Sequence, residues 1–119
     1  MKKVLVVDDE PEIVELISMV LEDDLVTVLP AYDGEQGLEI ARRERPHLVL
    51  TDVMMPRLDG LGLCRQLRED PATRSAVILL MSAIRYIDSS GSGADGLIHK
   101  PFDILSLVQT VQTHLGSST

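Results

Sequence analysis

Leu48-Val49-Leu50-Thr51-Asp52-Val53-Met54-Met55-Pro56-Arg57-Leu58-Asp59-Gly60 begins as an apolar run of strand length, stops at an acid, and continues into proline, a second acid and glycine. That order describes a buried strand opening into a loop. An acid at such an exit is held rigidly on one side and open to solvent on the other, as a nucleophile or metal ligand must be. Asp52 is therefore the first functional candidate, set against the plainer role of an Asp that only forms a turn or caps a helix.

The same pattern recurs along the chain. Val4-Leu5-Val6-Val7, within a strand from Lys2 to Asp8, has no polar alternation, as expected of a central strand covered on both faces, and runs into Asp8, Asp9 and Glu10. Leu25 to Ala31 is a second strand; Pro30 cannot donate a ladder hydrogen bond, which places this strand at a sheet edge. Leu48 to Asp52 is the third, Val77 to Met81 the fourth, ending at Ser82, and Leu97-Ile98 a short fifth leading into His99, Lys100 and Pro101.

Helical periodicity fills the intervals. Pro11 suits a first turn, and Ile13, Leu16, Ile17, Val20 and Leu21 form one apolar stripe of a helix from Glu10 to Glu22. Asp33 and Gln36 have capping-box spacing for a second helix ending at Arg45, with Leu38 and Ala41 inward and Pro46 closing it. Gly60 opens a third helix with Leu63, Cys64 and Leu67 on one face, ended by Asp70-Pro71. Asp103 caps the last, whose stripe is Ile104, Leu107, Val108, Val111 and Leu115. Strands alternating with helices predict an α/β fold, a parallel sheet with helices on both faces.

The bulk properties restrict the function. A chain of 119 residues with 45% hydrophobic content supports one domain, 1–119, with one core. Eleven basic against nineteen acidic residues give a net charge of -8, which argues against a direct nucleic-acid surface and favours proteins or cations as partners. Cys64 has no second cysteine to pair with and falls on an apolar helix face, so it reads as a buried thiol. The apolar run after Lys2 and Lys3 is too short for a signal peptide or membrane span, which predicts a cytoplasmic protein. His47, His99 and His114 have no clustered partners and read as structural or solvated.

Ligands of open parallel sheets bind beyond the carboxyl ends of the strands. Asp8, Asp9, Asp52, Ser82 and Lys100 all fall there. Three converging carboxylates repel, raising the pKa of at least one unless a cation neutralises them; Mg²⁺ suits such oxygen ligands and leaves room for water and a phosphoryl oxygen. Lys100 and Ser82 would supply a positive charge and a hydroxyl opposite, so the set reads as a phosphate site.

At these residues the chain resembles the receiver domain of bacterial two-component response regulators, the CheY-like family. The matching pieces, in order, are Val6-Val7-Asp8-Asp9, Thr51-Asp52-Val53-Met54-Met55-Pro56, Asp59-Gly60, Met81-Ser82-Ala83, Gly93-Ala94-Asp95 and Lys100-Pro101-Phe102. The resemblance implies a flavodoxin-like (βα)5 three-layer sandwich of strand order 2-1-3-4-5. It implies that a histidine kinase or phosphotransfer protein donates a phosphoryl group to Asp52, forming an aspartyl phosphate. Asp9, Asp52 and the main-chain carbonyl of Met54 would bind Mg²⁺ directly, and Asp8 through water. Ser82 would follow the phosphoryl group, Lys100 would pair with it, and the downstream partner is unnamed. Met54 and Ile84 flank the route of hydrolytic water in this family, and both are apolar here. The position of a switching aromatic residue in many members is Leu97.

Two other readings compete with a signalling switch that turns over no metabolite. In a Mg²⁺-dependent phosphohydrolase of the haloacid-dehalogenase type the leading acids are separated by one residue and a cap domain encloses the substrate; Asp8 and Asp9 are adjacent and no cap is encoded. A phosphorylation-independent binding module would not need the intact set of Asp8, Asp9, Asp52, Ser82 and Lys100. The largest departure from the family lies between Ala83 and Gly93, where Ile84 to Ser92 is about one helical turn short and rich in serine and glycine. A mobile loop with a shortened or missing fourth helix is expected there.

Overall fold

The computed structural model describes residues 2–23, 25–84 and 91–116. Its elements run β1 (Lys2–Val7), α1 (Pro11–Leu21), β2 (Val26–Ala31), α2 (Gly34–Glu44), β3 (Leu48–Asp52), α3 (Gly60–Glu69), β4 (Val77–Ser82), β5 (Gly96–His99) and α4 (Ile104–His114). The strands form one parallel sheet in the order β2-β1-β3-β4-β5, the flavodoxin-like arrangement expected.

Side-chain alternation along the strands divides the core in two. Val4, Val6, Leu48, Leu50, Leu79 and Met81 point to one face and pack on Val14, Ile17 and Leu21 of α1 and on Leu107 and Val111 of α4. Leu5, Val7, Val49, Ile78 and Leu80 point to the other, against Ala41 of α2 and Leu63, Cys64 and Leu67 of α3. The strands carry no polar alternation because both faces are covered. Cys64 is buried as expected, and burial pushes its thiol pKa up.

Pro30 does lie on an edge strand. Lys2 N donates to Leu25 O and Asp8 N to Ala31 O, so the odd-numbered residues of β2 face β1 and Pro30 lies where an N–H would point outward. The cap at Asp33 is also present: its Oδ1 accepts from Gln36 N at 2.8 Å, while Gln36 Oε1 accepts from Tyr32 N at 2.6 Å. His47 has a structural role, its Nδ1 accepting from Lys3 N at 3.0 Å where β1 begins beside β3.

One expectation for α1 needs correction. The helix buries Val14, Ile17 and Leu21, with Ile13 half-buried, whereas Leu16 is 43% and Val20 38% exposed. The helix lies over β1 and the edge strand β2, so the sheet beneath it covers a narrower stripe than its apolar residues span. The expected shortening of a fourth helix falls on Ile84 to Ser92, of which 85–90 lie outside the described residues; among the described residues there are four helices and none between β4 and β5, consistent with that expectation. At the borders of 85–90, Ala83 and Ile84 form a bend and Gly91 to Gly93 a turn.

Arg68 ties that second border to the body. From α3 its guanidinium donates to the carbonyls of Gly93 (2.9 Å), Arg74 (2.5 Å) and Ala76 (2.6 Å) and to Asp95 Oδ2 (2.8 Å), which also accepts from Ile78 N. Its side chain is only 24% exposed, so truncation strands these acceptors. Arg68→Ala is expected to cost about 2–3 kcal/mol in urea unfolding, well above the roughly 0.5 kcal/mol of an ordinary surface change.

Candidate functional site

Because every strand of the sheet is parallel, the carboxyl ends of β1, β3, β4 and β5 open onto one rim. Asp8 follows β1 with no exposure, its orientation set by Oδ1 accepting from Glu10 N at 2.9 Å. Asp52 is the last residue of β3 and 6% exposed, while Asp9 faces solvent. Carboxylate oxygens of Asp8, Asp9 and Asp52 all lie within 4.8 Å of one another. Lys100 is anchored through its own N–H, which donates to Ser82 O at 2.8 Å. Its Nζ reaches back to Asp8 Oδ2 at 2.8 Å and Asp52 Oδ1 at 3.5 Å.

The electrostatics follow from this crowding. Burial, then the charge of Asp8, raises the pKa of Asp52 above the usual carboxylate range, against the opposing pull of Lys100. Burial works against the Lys100 ammonium, but its hydrogen bond to Asp8 and the charges of Asp8 and Asp52 outweigh that and hold its pKa above the ordinary lysine value. One ammonium among three carboxylates leaves net negative charge on a partly dry rim. A hard divalent cation with oxygen ligands fits that donor set.

The other expected residues fall nearby with differing exposure. Ser82 ends β4 and is buried; its Oγ accepts from Ile84 N at 3.0 Å, so the hydroxyl is engaged with the loop that follows it. Met54 is 61% and Ile84 40% exposed. Met55 packs against the core from the loop after β3, Leu97 is half-buried on the α2/α3 side of the sheet, and His99 is exposed. An apolar groove of about 380 Å³ beside Lys100 is lined by Ile13, Leu16, Ala83, Pro101 and Phe102.

Two glycines that hold the loop after β3 were not singled out for that role by the sequence. A Cβ on Gly34 would overlap the carbonyl oxygen of Leu58, and one on Gly60 the carbonyl oxygen of Asp52. The first turn of α2 thus presses on the backbone at Leu58, and the start of α3 on the backbone of Asp52 and Val53. Gly60 N also donates to Val53 O at 2.8 Å. Arg57, at φ 73, spans the same junction, with its guanidinium 4.0 Å from Asp33 and 3.7 Å from Glu35. The signal available in the sequence was a glycine directly after each capping acid, Asp33-Gly34 and Asp59-Gly60.

A doubly wound parallel sheet with an acidic, lysine-bearing rim at its strand ends defines a class of α/β proteins. Within it, the chain belongs to the response regulator receiver domain family, which matches residues 4–112. It is 39% identical over 117 residues to response regulator GtcR of Aneurinibacillus migulanus, covering 96% of this chain and 48% of GtcR. It is 34% identical over 119 residues to the DNA-binding dual master transcriptional regulator RpaA of Synechocystis, covering 97% of this chain and 49% of RpaA. The chain therefore spans about half the length of these relatives. Among solved structures, the Francisella response regulator 1452 receiver domain superimposes with TM-score 0.88 at 28% identity, over 100% of both chains. Chemotaxis response regulator CheY4 of Vibrio cholerae gives TM-score 0.88 at 30% identity, over 96% of this chain and 98% of CheY4.

Proposed function

We propose that this receiver domain accepts a phosphoryl group on Asp52 from a histidine kinase or phosphotransfer protein and acts as a signalling switch. The observation that carries this reading is the convergence of Asp8, Asp9 and Asp52 within 4.8 Å, with Lys100 Nζ 3.5 Å from Asp52. An Asp52 carboxylate oxygen forms the new O–P bond as the donor's P–N bond breaks, leaving the imidazole on the donor. Asp9, Asp52 and the Met54 carbonyl would hold Mg²⁺, with Asp8 behind a water. The ion supplies charge neutralisation for the transferring phosphoryl oxygens. Lys100 pairs with one of those oxygens, and Ser82 turns the hydroxyl that it donates to Ile84 O at 3.4 Å toward another, which shifts the loop beyond it.

The groove beside Lys100 gives the phosphodonor protein an apolar seat next to the acceptor, with Leu16 as its exposed wall. The net charge of -8 supports a chain that does not itself touch DNA, so any DNA binding, of the kind RpaA's name states, would belong to a different part of a longer protein. Among the described residues no helix is long and apolar enough to cross a membrane. As a switch the domain turns over no metabolite. Incubation with acetyl phosphate and Mg²⁺, followed by intact-mass spectrometry and peptide mapping, is expected to show one phosphoryl group on Asp52. A phosphoryl group elsewhere, or none, defeats the proposal and favours an inert binding module.

The lifetime of the modification follows from two side chains. Exposed Met54 and Ile84 offer no hydrogen-bonding group to orient an attacking water, so self-dephosphorylation is expected to be slow. Met54→Asn combined with Ile84→Glu should speed phosphate loss by about tenfold or more, read as decay of the phosphorylated species after donor removal. An unchanged decay rate would show that water access is set elsewhere.

A further inference from the structure

The flank of α1 turned away from Lys100 carries a second groove, of about 530 Å³, which plays no part in the phosphate chemistry. It is lined by Glu15, Ser18, Met19 and Glu22 on the helix and by Pro30 and Tyr32 on the edge-strand side. Met19 is 76% and Tyr32 40% exposed, residue types that anchor interfaces because they offer large contact area. The helix contains no lysine or arginine, and Glu12, Glu15 and Glu22 have no ion-pair partner among the described residues. Glu22 and Asp23 stand at the negative end of the helix dipole, where acids are disfavoured and cations favoured. The groove is thus apolar in its floor and negative in its wall.

Its neighbour β2 could in principle add a strand, but the outward backbone donors are spoken for. Val26 N donates to Asp23 Oδ1 at 2.9 Å, Pro30 has no N–H, and Tyr32 N donates to Gln36 Oε1 at 2.6 Å. Of the outward positions 26, 28, 30 and 32, only Val28 keeps a donor without a partner among the described residues, which is too few for a ladder. An occupant must bind through side chains.

We propose that this groove docks an amphipathic helix of a partner protein, its apolar stripe on Met19 and Tyr32 and its lysines or arginines against Glu15 and Glu22. Those two acids are about 10 Å apart along the axis, so basic residues two helical turns apart on the partner meet both. The docking is independent of phosphoryl transfer to Asp52.

The test uses a fluorescein-labelled helical peptide with a leucine stripe and lysines two turns apart, and a twin with glutamates in their place, titrated by anisotropy. The lysine peptide should bind the wild-type chain and the glutamate twin should not. Glu15→Lys with Glu22→Lys should weaken the lysine peptide at least tenfold and admit the twin, and Met19→Ser should weaken the lysine peptide several-fold. Glu39→Lys with Glu69→Lys, the same charge change placed on α2 and α3, should leave binding unaltered. Equal weakening by both double variants would reduce the effect to attraction by net charge and overturn the proposal, as would indifference to the Glu15 and Glu22 reversal. Unchanged circular dichroism verifies that each variant is folded.

Discussion

Asp52→Asn should take up no phosphoryl group from acetyl phosphate, and without metal it should be more stable than the wild-type chain at neutral pH. The second half of that result follows from the sign of the pKa shift. Burial and the charge of Asp8 raise the Asp52 pKa in the folded state above its value in the unfolded chain. Its contribution to stability is then fully present below the ordinary carboxylate range and is lost as pH rises through the raised value. Above the ordinary carboxylate range the buried Asp52 carboxyl therefore counts against the folded state, and a neutral isostere removes that penalty. Lys100 keeps its partner in the variant, because the 2.8 Å contact is with Asp8.

Mg²⁺ should shift the balance toward the wild-type chain. At ten times its dissociation constant, a cation bound only by the folded state adds about 1.4 kcal/mol, or roughly 6 °C in Tm for a domain of this size. The wild-type chain should gain this increment and Asp52→Asn a small part of it, measured by differential scanning calorimetry with and without the ion. Equal gains in both proteins would place the cation away from Asp52. A less stable metal-free Asp52→Asn would mean that the carboxylate is an asset to the fold.

The rim was legible in the sequence because parallel strands put their carboxyl ends on one side, so each apolar run that stopped at Asp8, Asp52 or Ser82, or led on to Lys100, named a rim residue. Pro30 identified the edge strand for a reason equally local, its missing donor. The burial of α1 was not legible to the same degree, since periodicity marks Leu16 and Val20 as apolar but cannot say how wide a strip of sheet lies beneath them. The engagement of Ser82 with Ile84 N was hidden for a similar reason. A hydroxyl's partner depends on the path of the loop, which Ser and Gly residues leave undetermined. Arg68 was the most opaque, because its acceptors at Arg74, Ala76, Gly93 and Asp95 are brought together only when α3, β4 and β5 pack.

Two alanine substitutions in α3, at Gly60 and Gly62, should have opposite consequences. Neither glycine has a positive φ, so backbone freedom is not the issue and the outcome depends on space. At Gly60 the added methyl would overlap the Asp52 carbonyl oxygen and stand 2.9 Å from Val53 Cα, both of them backbone atoms of the rim. The end of β3 or the start of α3 must shift. That overpacking is expected to cost about 3 kcal/mol in urea unfolding. It should also slow labelling of Asp52 about tenfold or more even where the chain is fully folded, since displacement of a nucleophile by a fraction of an ångström spoils its alignment. At Gly62 the nearest atom is Leu58 Cδ1 at 2.8 Å, the far end of a side chain able to turn aside. There the gain in helix propensity, about 0.5–1 kcal/mol, offsets the adjustment, and Gly62→Ala should be neutral or slightly stabilising with normal labelling. If Gly60→Ala labels at the wild-type rate when folded, the contact between α3 and Asp52 is structural only and does not set the geometry of the acceptor.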